Sequence, residues 1–145
     1  MCEPMRIVLV IICILLSSCA SDPLKDINTT VNKIRYVSDI DNYGVKDYWA
    51  MPVEFYDKGG DCEDFAIAKY KELKDLTNVG DIKFILAWLE DGAAHVVLKV
   101  GDKILDSMND DVHDIEYLGR YLFYSELEPS VFVGNLGKER SNESF

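Results

Sequence analysis

The sequence is poor in basic residues and contains no stripe or cluster of them. Its 145 residues include 15 Lys plus Arg against 26 Asp plus Glu, a formal net charge of −11 at pH 7. Proteins bind nucleic acid largely by placing cations against its phosphates, so this composition argues against a nucleic-acid ligand. The excess of carboxylates is expected to favour solubility.

A long apolar run is also lacking. The segment from Ile7 to Leu16 is uniformly apolar, but it is about half as long as the roughly 20 residues that a membrane-spanning helix needs. Arg6 precedes this segment and small residues follow it, which is the layout of a secretory signal peptide. The four residues Leu16-Ser17-Ser18-Cys19 match the lipobox of bacterial lipoproteins, whose cysteine is acylated and becomes the mature N-terminus.

We therefore predict a lipoprotein signal peptide over residues 1–18, a lipidated Cys19 and a tether over residues 19–21. Ala20 and Ser21 lack the aspartate that retains lipoproteins in the inner membrane. In a host with two membranes, the predicted location is the periplasmic face of the outer membrane. An ordinary cleaved signal or a short membrane anchor is the alternative.

Cysteine is scarce as well. Of the 4 cysteines, Cys2 and Cys13 lie in the predicted signal peptide, Cys19 would carry lipid, and Cys62 alone remains. Exported proteins meet an oxidising environment, yet a single thiol has no disulfide partner within its own domain. Such a cysteine is an inert buried residue, an intermolecular cross-linker or a reactive nucleophile.

The rest of the chain is long enough for one domain, which we place at residues 22–136. A helix is predicted to begin at Asp22 and Pro23, and a second one after Gly59-Gly60-Asp61. Strands are predicted for Ile82 to Glu90, His95 to Val100, Lys103 to Met108 and, near the end, Tyr121 to Leu127. The predicted fold class is α+β, with a helix that carries Cys62 packed on an antiparallel sheet.

Four further expectations concern two segments and two single residues. Residues 38–60 are predicted to form an irregular loop packed on the core, and residues 137–145 a flexible tail. Lys69 is expected on the exposed side of the second helix. His113 lies in an acidic run without a strand pattern, so we interpret it as a solvated loop residue.

Cys62 would lie in the first turn of its helix. Free backbone N–H groups and the positive end of the helix dipole favour an anion there, which predicts a lowered thiol pKa. Asp61, Glu63 and Asp64 surround it in sequence and indicate a polar site. The same three carboxylates could instead simply complement the helix dipole.

Four sequence blocks resemble one family. The bacterial transglutaminase-like cysteine proteinases of the LapG type have similar blocks to these: Trp49-Ala50-Met51-Pro52-Val53-Glu54-Phe55, Gly60-Asp61-Cys62-Glu63-Asp64-Phe65-Ala66-Ile67-Ala68-Lys69-Tyr70, Ala94-His95-Val96-Val97-Leu98 and Leu105-Asp106. The resemblance implies a papain-like or transglutaminase-like fold. It also implies that Cys62 is the nucleophile, His95 the general base and Asp106 the residue that orients the imidazole.

The same resemblance implies Ca²⁺ ligands at Asp61 and Glu63, to which Asp64 is a candidate addition, and no organic cofactor. No local spacing matches an EF-hand loop, so any calcium site must be assembled from distant segments. The implied activity is hydrolysis of peptide bonds in a cell-envelope or surface protein such as an adhesin. The alternatives are a transglutaminase or amidase that uses the same three residues, a non-catalytic lipoprotein that binds calcium or peptide, and a structural envelope protein.

Hairpin geometry supports the pairing of His95 with Asp106 independently. If Gly101-Asp102 is a two-residue turn, Val100 lies opposite Lys103 in the hairpin. His95 and Asp106 then become diagonal neighbours on one face of the sheet, about 7 to 8 Å apart at the backbone. A turn with an odd number of residues would place them on opposite faces.

Overall fold

The computed structural model describes residues 21–76 and 80–139. The predicted signal peptide, the predicted lipidation site Cys19 and residues 140–145 of the predicted tail lie outside the described residues. Within them, no helix combines the length and the apolar character needed to cross a membrane.

Five α-helices and one 3₁₀ helix are present among the described residues. The α-helices are α1 Pro23–Asn32, α2 Asp39–Tyr43, α3 Pro52–Lys58, α4 Cys62–Leu73 and α5 Pro129–Val133, and the 3₁₀ helix is Ile115–Arg120. The strands are β1 Tyr48–Trp49, β2 Ile82–Trp88, β3 Ala94–Val100, β4 Lys103–Asp106, β5 Asn109–Asp114, β6 Phe123–Leu127 and β7 Lys138–Glu139.

An antiparallel sheet of five strands, in the order β5-β4-β3-β2-β6, forms the centre of the protein. Side chains alternate between its two faces, because successive residues of a strand point in opposite directions. One face packs on α4, with Phe84, Val96 and Leu98 in the shared core. The other face packs on the 3₁₀ segment through Ile85, Val97 and their neighbours. The central strands are therefore covered on both sides.

Helix α1 holds the turn between β4 and β5 in place. Its N-terminus is capped by Asp22, whose carboxylate accepts the Leu24 N–H at 3.0 Å. The Asn28 amide donates to the carbonyl oxygen of Asn109 at 2.9 Å, and the Asn32 amide donates to that of Asp106 at 2.9 Å. These bonds fix the backbone on both sides of the turn that follows Asp106.

The predicted fold class is confirmed, but the structure corrects three details. Residues 38–60 contain α2, β1 and α3, because short apolar and capping signals there are completed by tertiary packing. His113 lies in strand β5, whose polar residues belong to a sheet edge and therefore show no apolar alternation. The predicted tail begins too early, since β7 pairs Lys138 with Trp49.

Lys69 is also misplaced by the sequence analysis. It lies on the inner side of α4 and is only 1% exposed. Burial lowers the pKa of Lys69 to about 7, while the nearby Asp106 and Asp110 act in the opposite direction. In the unfolded chain the same group has an ordinary pKa near 10.5. Between these two values the unfolded chain binds more protons, so the stability of the native state rises with pH.

We expect Lys69→Met to stabilise the protein by about 2–4 kcal/mol below pH 7, because it removes a buried cation. The gain should shrink as the pH approaches 10, where native Lys69 is already neutral. Denaturant unfolding at pH 6 and pH 9.5 measures both values. Lys71→Met, an exposed lysine on the same helix, is the control. A gain that is equal at the two pH values would contradict the assignment.

Candidate functional site

The start of α4 is fixed by a buried carboxylate. Asp64 is 1% exposed, and its Oδ1 accepts the Ala50 N–H at 2.8 Å while its Oδ2 accepts the Asp61 N–H at 3.3 Å. A Cβ at Gly60 would lie 2.3 Å from Asp64 Oδ2, so this position requires glycine. These bonds fix the backbone at the start of α4 and with it the positions of Asp61, Cys62 and Glu63.

The thiol of Cys62, the first residue of α4, donates to Glu63 Oε2 at 3.2 Å. Burial raises its pKa well above the usual value, and the carboxylates of Glu63 and Asp61 raise it further. The Val96 N–H lies close enough to act in the opposite direction. The sequence analysis predicted a lowered thiol pKa, and this prediction is wrong for the protein without a bound cation. Burial and the two adjacent carboxylates outweigh the effect of the helix dipole.

His95 and Asp106 meet as the hairpin geometry predicts. The register pairs Val100 with Lys103 across the two-residue turn. His95 Nε2 lies 2.8 Å from Asp106 Oδ1, and the two residues are 4% and 1% exposed. A neutral imidazole that donates from Nε2 leaves Nδ1 as its basic nitrogen.

Asp106 receives three further hydrogen bonds. The Met108 N–H donates to Oδ1 at 2.9 Å, and the hydroxyls of Tyr117 and Tyr121 donate to Oδ2 at 2.9 and 3.0 Å. Burial alone would raise the pKa of Asp106. The hydrogen bond and charge of His95, together with the Met108 amide and the Tyr117 hydroxyl, instead hold it well below its usual range. Asp106 is therefore a stable anion.

The sequence analysis assigns no role to the two tyrosines. Tyr117 lies in the 3₁₀ helix that follows β5, and Tyr121 comes directly after that helix, so neither belongs to an element with an apolar period. The signal that could have found them is their spacing of four residues, which places Tyr117 just before the predicted last strand and Tyr121 at its start.

A cavity of about 360 Å³ adjoins the thiol. Its lining is mostly apolar and consists of Asp47, Trp49, Cys62, Glu63, Leu86, Trp88, Ala94, Val96 and Phe132. Ala94 and Val96 flank His95 on β3. Because side chains alternate along a strand, the His95 side chain lies on the opposite face of the sheet, beside Tyr121. Within the described residues no hydrogen bond joins Cys62 to His95. The structure thus brings Asp106 of β4 to His95 of β3. It places the Cys62 thiol next to the neighbours of His95 on β3, not next to His95 itself.

Carboxylates from separate segments converge beside the thiol. Asp39 comes from α2, Asp47 from the residues before β1, and Asp61 and Glu63 from the start of α4. Donor oxygens of Asp39, Asp47 and Glu63 lie within 4.8 Å of one another, as do those of Asp39, Asp61 and Asp64. The sequence analysis expected any calcium site to combine distant segments, and the carboxylates that converge here come from distant segments, but Asp39 and Asp47 were not among the predicted ligands.

The cluster is chemically suited to a hard cation. Asp39 Oδ1, Asp47 Oδ1 and Asp61 Oδ1 are buried and have no hydrogen-bond partner among the described residues. Burial raises the pKa of Asp61 to about 9, with Glu63 adding to the effect, and burial raises that of Asp39 to about 6. Buried acceptors without donors and oxygen-only ligands fit Ca²⁺. Asp64 fits less well, since both its oxygens already accept backbone N–H groups.

The site can now be compared with known proteins. A family profile described as bacterial transglutaminase-like cysteine proteinase BTLCP matches residues 12–127, which is most of the chain. The chain belongs to this family. It is therefore a cysteine protease by family, and its substrate is a protein. No curated protein matches the chain.

Solved structures of another transglutaminase-like cysteine proteinase agree with this assignment. Legionella pneumophila LapG matches with 28% identity and a TM-score of 0.60, over 77% of this chain and 72% of that one. Its calcium-bound form matches with 33% identity and a TM-score of 0.56, over 68% and 59%. Its EGTA-treated form matches with 32% identity and a TM-score of 0.56, over 68% of this chain and 57% of that one. The chain spans less than two thirds of the length of the last two.

Proposed function

We propose that this protein is an exported, lipid-anchored endopeptidase that hydrolyses peptide bonds of a cell-envelope or surface protein with Cys62, His95 and Asp106. The observation that carries the proposal is the buried His95–Asp106 hydrogen bond of 2.8 Å on the strand that also contacts the helix-start thiol. A histidine with only a structural role would not need a partner such as Asp106, whose carboxylate is kept anionic by three further hydrogen-bond donors.

In the proposed reaction, His95 Nδ1 takes the proton of the Cys62 thiol. The thiolate attacks the amide carbonyl and forms a carbon–sulfur bond, and the imidazolium then protonates the departing amine as the carbon–nitrogen bond breaks. Water, deprotonated by the same nitrogen, hydrolyses the thioester to a carboxylic acid and regenerates the thiol. Asp106 holds the Nε2–H tautomer and stabilises the imidazolium.

This reaction requires Cys62 to change its hydrogen-bond partner. In the structure the thiol donates to Glu63, so Sγ must leave Glu63 and come within reach of His95 Nδ1 before the proton is transferred. Catalytic hydrogen bonds are often long before substrate binds. The Cys62 backbone N–H, which has no partner within its helix, is the proposed donor to the oxyanion.

We further propose that Asp39, Asp47, Asp61 and Glu63 hold a Ca²⁺ ion. The unpaired buried oxygens support this, and so does the calcium-bound state of LapG. When bound, the ion would offset the charge of the carboxylates next to Cys62 and so favour its thiolate.

The substrate class and the anchor are extrapolations from the family and the sequence. Family resemblance favours an adhesin-like surface protein cut near small residues such as paired alanines. The lipobox at Cys19 would place the enzyme on the membrane surface beside such substrates.

We expect Cys62→Ala and His95→Ala each to abolish cleavage of a peptide that contains paired alanines. Asp106→Asn should remain folded but lose about 10²–10⁴-fold in kcat, because the imidazole tautomer is no longer held. His113→Ala, the other histidine, should lose less than about tenfold, since it does not touch Asp106. Steady-state kinetics and melting curves measure these effects. Loss of activity in His113→Ala with retention in His95→Ala would overturn the assignment of the base.

We expect Ca²⁺ to raise the melting temperature of the wild-type protein by about 10 °C at hundredfold excess over its Kd, because it binds only the native cluster. Asp39→Asn and Asp47→Asn should reduce the shift and the heat of binding in calorimetry. Asp57→Asn, an exposed aspartate on α3, is the control. Equal melting temperatures with Ca²⁺ and with EGTA would contradict the calcium site.

We expect wild-type protein to partition with membranes and Cys19→Ala to remain as an uncleaved or soluble precursor. The reason is that Cys19 is the proposed site of acylation. Cell fractionation with detergent phase separation measures the distribution, and Cys62→Ala should behave like wild type. Finding the exported wild-type protein wholly in the soluble fraction would end the proposal of an anchor.

A further inference from the structure

The carboxylate of Asp106 is held on both of its oxygens. Oδ1 accepts from His95 and from the Met108 N–H, while Oδ2 accepts from the hydroxyls of Tyr117 and Tyr121 at 2.9 and 3.0 Å. The terminal torsion of a carboxylate is broad. Together with the Met108 N–H on Oδ1, the two hydroxyls on Oδ2 therefore limit rotation of the carboxylate and keep Oδ1 directed at the imidazole.

We propose that Tyr117 and Tyr121 are positioning residues for the His95–Asp106 pair. They would act by anchoring Oδ2, so that Oδ1 keeps its hydrogen bond to His95 Nε2. The inference rests on the proposed function, because it assigns a purpose to two residues behind the catalytic aspartate. Neither tyrosine lines the cavity next to Cys62, so neither is placed to contact a substrate bound there.

Both tyrosines are themselves firmly held. Tyr121 is 7% exposed, within the core on the side of the sheet away from α4. The ring of Tyr117 stacks on His113, with 4.1 Å between ring centroids, and the Arg120 guanidinium lies 4.6 Å from the Tyr117 centroid. Arg120 also donates to the Tyr117 hydroxyl. Tyr117 thus accepts from a cation and donates to an anion, which strengthens both hydrogen bonds.

Both hydroxyls stay protonated around neutral pH and so remain donors. Burial raises the pKa of Tyr117 to about 12, and the charge of Asp106 contributes in the same direction. Burial and the same carboxylate raise the pKa of Tyr121 still further. Asp106 is also approached by His95 from β3, by the Met108 N–H and by Lys69 from α4, whereas Tyr117 and Tyr121 are its donors from the 3₁₀ helix and the residue after it.

The chain contains 2 histidines, which makes the effect directly observable by nitrogen NMR of labelled imidazoles. We expect wild-type His95 to be locked in the Nε2–H tautomer. Tyr117→Phe and Tyr121→Phe should each retain that tautomer and lose less than about fivefold in kcat, since one hydroxyl still holds Oδ2. The double variant should shift towards the tautomer mixture of Asp106→Asn and lose about 100-fold in kcat, with KM within about twofold of wild type.

Tyr56→Phe is the matched control. Its hydroxyl also donates to a carboxylate, Glu72 Oε1 at 3.0 Å, near the opposite end of α4 from Cys62. It should change neither the tautomer nor kcat. Signals of His95 are assigned with His95→Ala.

The outcomes separate the two proposals. If wild type does not cleave the paired-alanine peptide but the double variant still loses the Nε2–H tautomer, the proposed function fails and the positioning role stands. If wild type is active and the double variant keeps both the tautomer and kcat, the positioning role is overturned. A fall in activity matched by an equal fall in the folded fraction, with the tautomer unchanged, also overturns it, because it indicates a structural role alone.

Discussion

The side chain of Asp64 is the constraint on which the nucleophile depends. Its two oxygens tie the first turn of α4 to the backbone of Ala50 and of Asp61, and it is almost completely buried. A buried carboxylate that lost these N–H groups would carry a large desolvation cost. The direction of the Cys62 side chain, the position of its two acidic neighbours and the need for glycine at position 60 all follow from this one anchor.

Local signals explain how far the sequence could predict the site. The N-cap Asp22 and the proline after it are sufficient to start α1, because the capping bond spans only two residues. The Gly101-Asp102 turn determines the register of its hairpin, and the register places His95 beside Asp106. In both cases the partners lie within a few residues or within one hairpin, where spacing alone determines contact.

The remaining features depend on contacts between distant segments. Asp39 and Asp47 lie 24 and 16 residues before Glu63 in the chain, and only the tertiary fold brings their oxygens within 4.8 Å of its carboxylate. The environment of Asp106 needs a 3₁₀ segment behind a polar strand, and neither leaves an apolar period in the sequence. Lys69 is followed closely by the charged residues Lys71 and Glu72, yet it is buried near Asp106 and Asp110, a location that helical spacing does not reveal. The thiol pKa is misjudged for the same reason, since burial is a property of the whole fold.

The wall of the cavity facing the thiol comes from the end of the described chain. Phe132 of α5 stacks between Trp49 and Phe84, with ring centroids 4.4 and 4.2 Å apart, and the Gly137 N–H donates to the Trp49 carbonyl at 2.7 Å. β7 then pairs with β1. The helix that carries the nucleophile is synthesised some 70 residues before these pieces. The cleft beside the thiol is therefore finished only when segments some 70 residues apart in the chain have packed together.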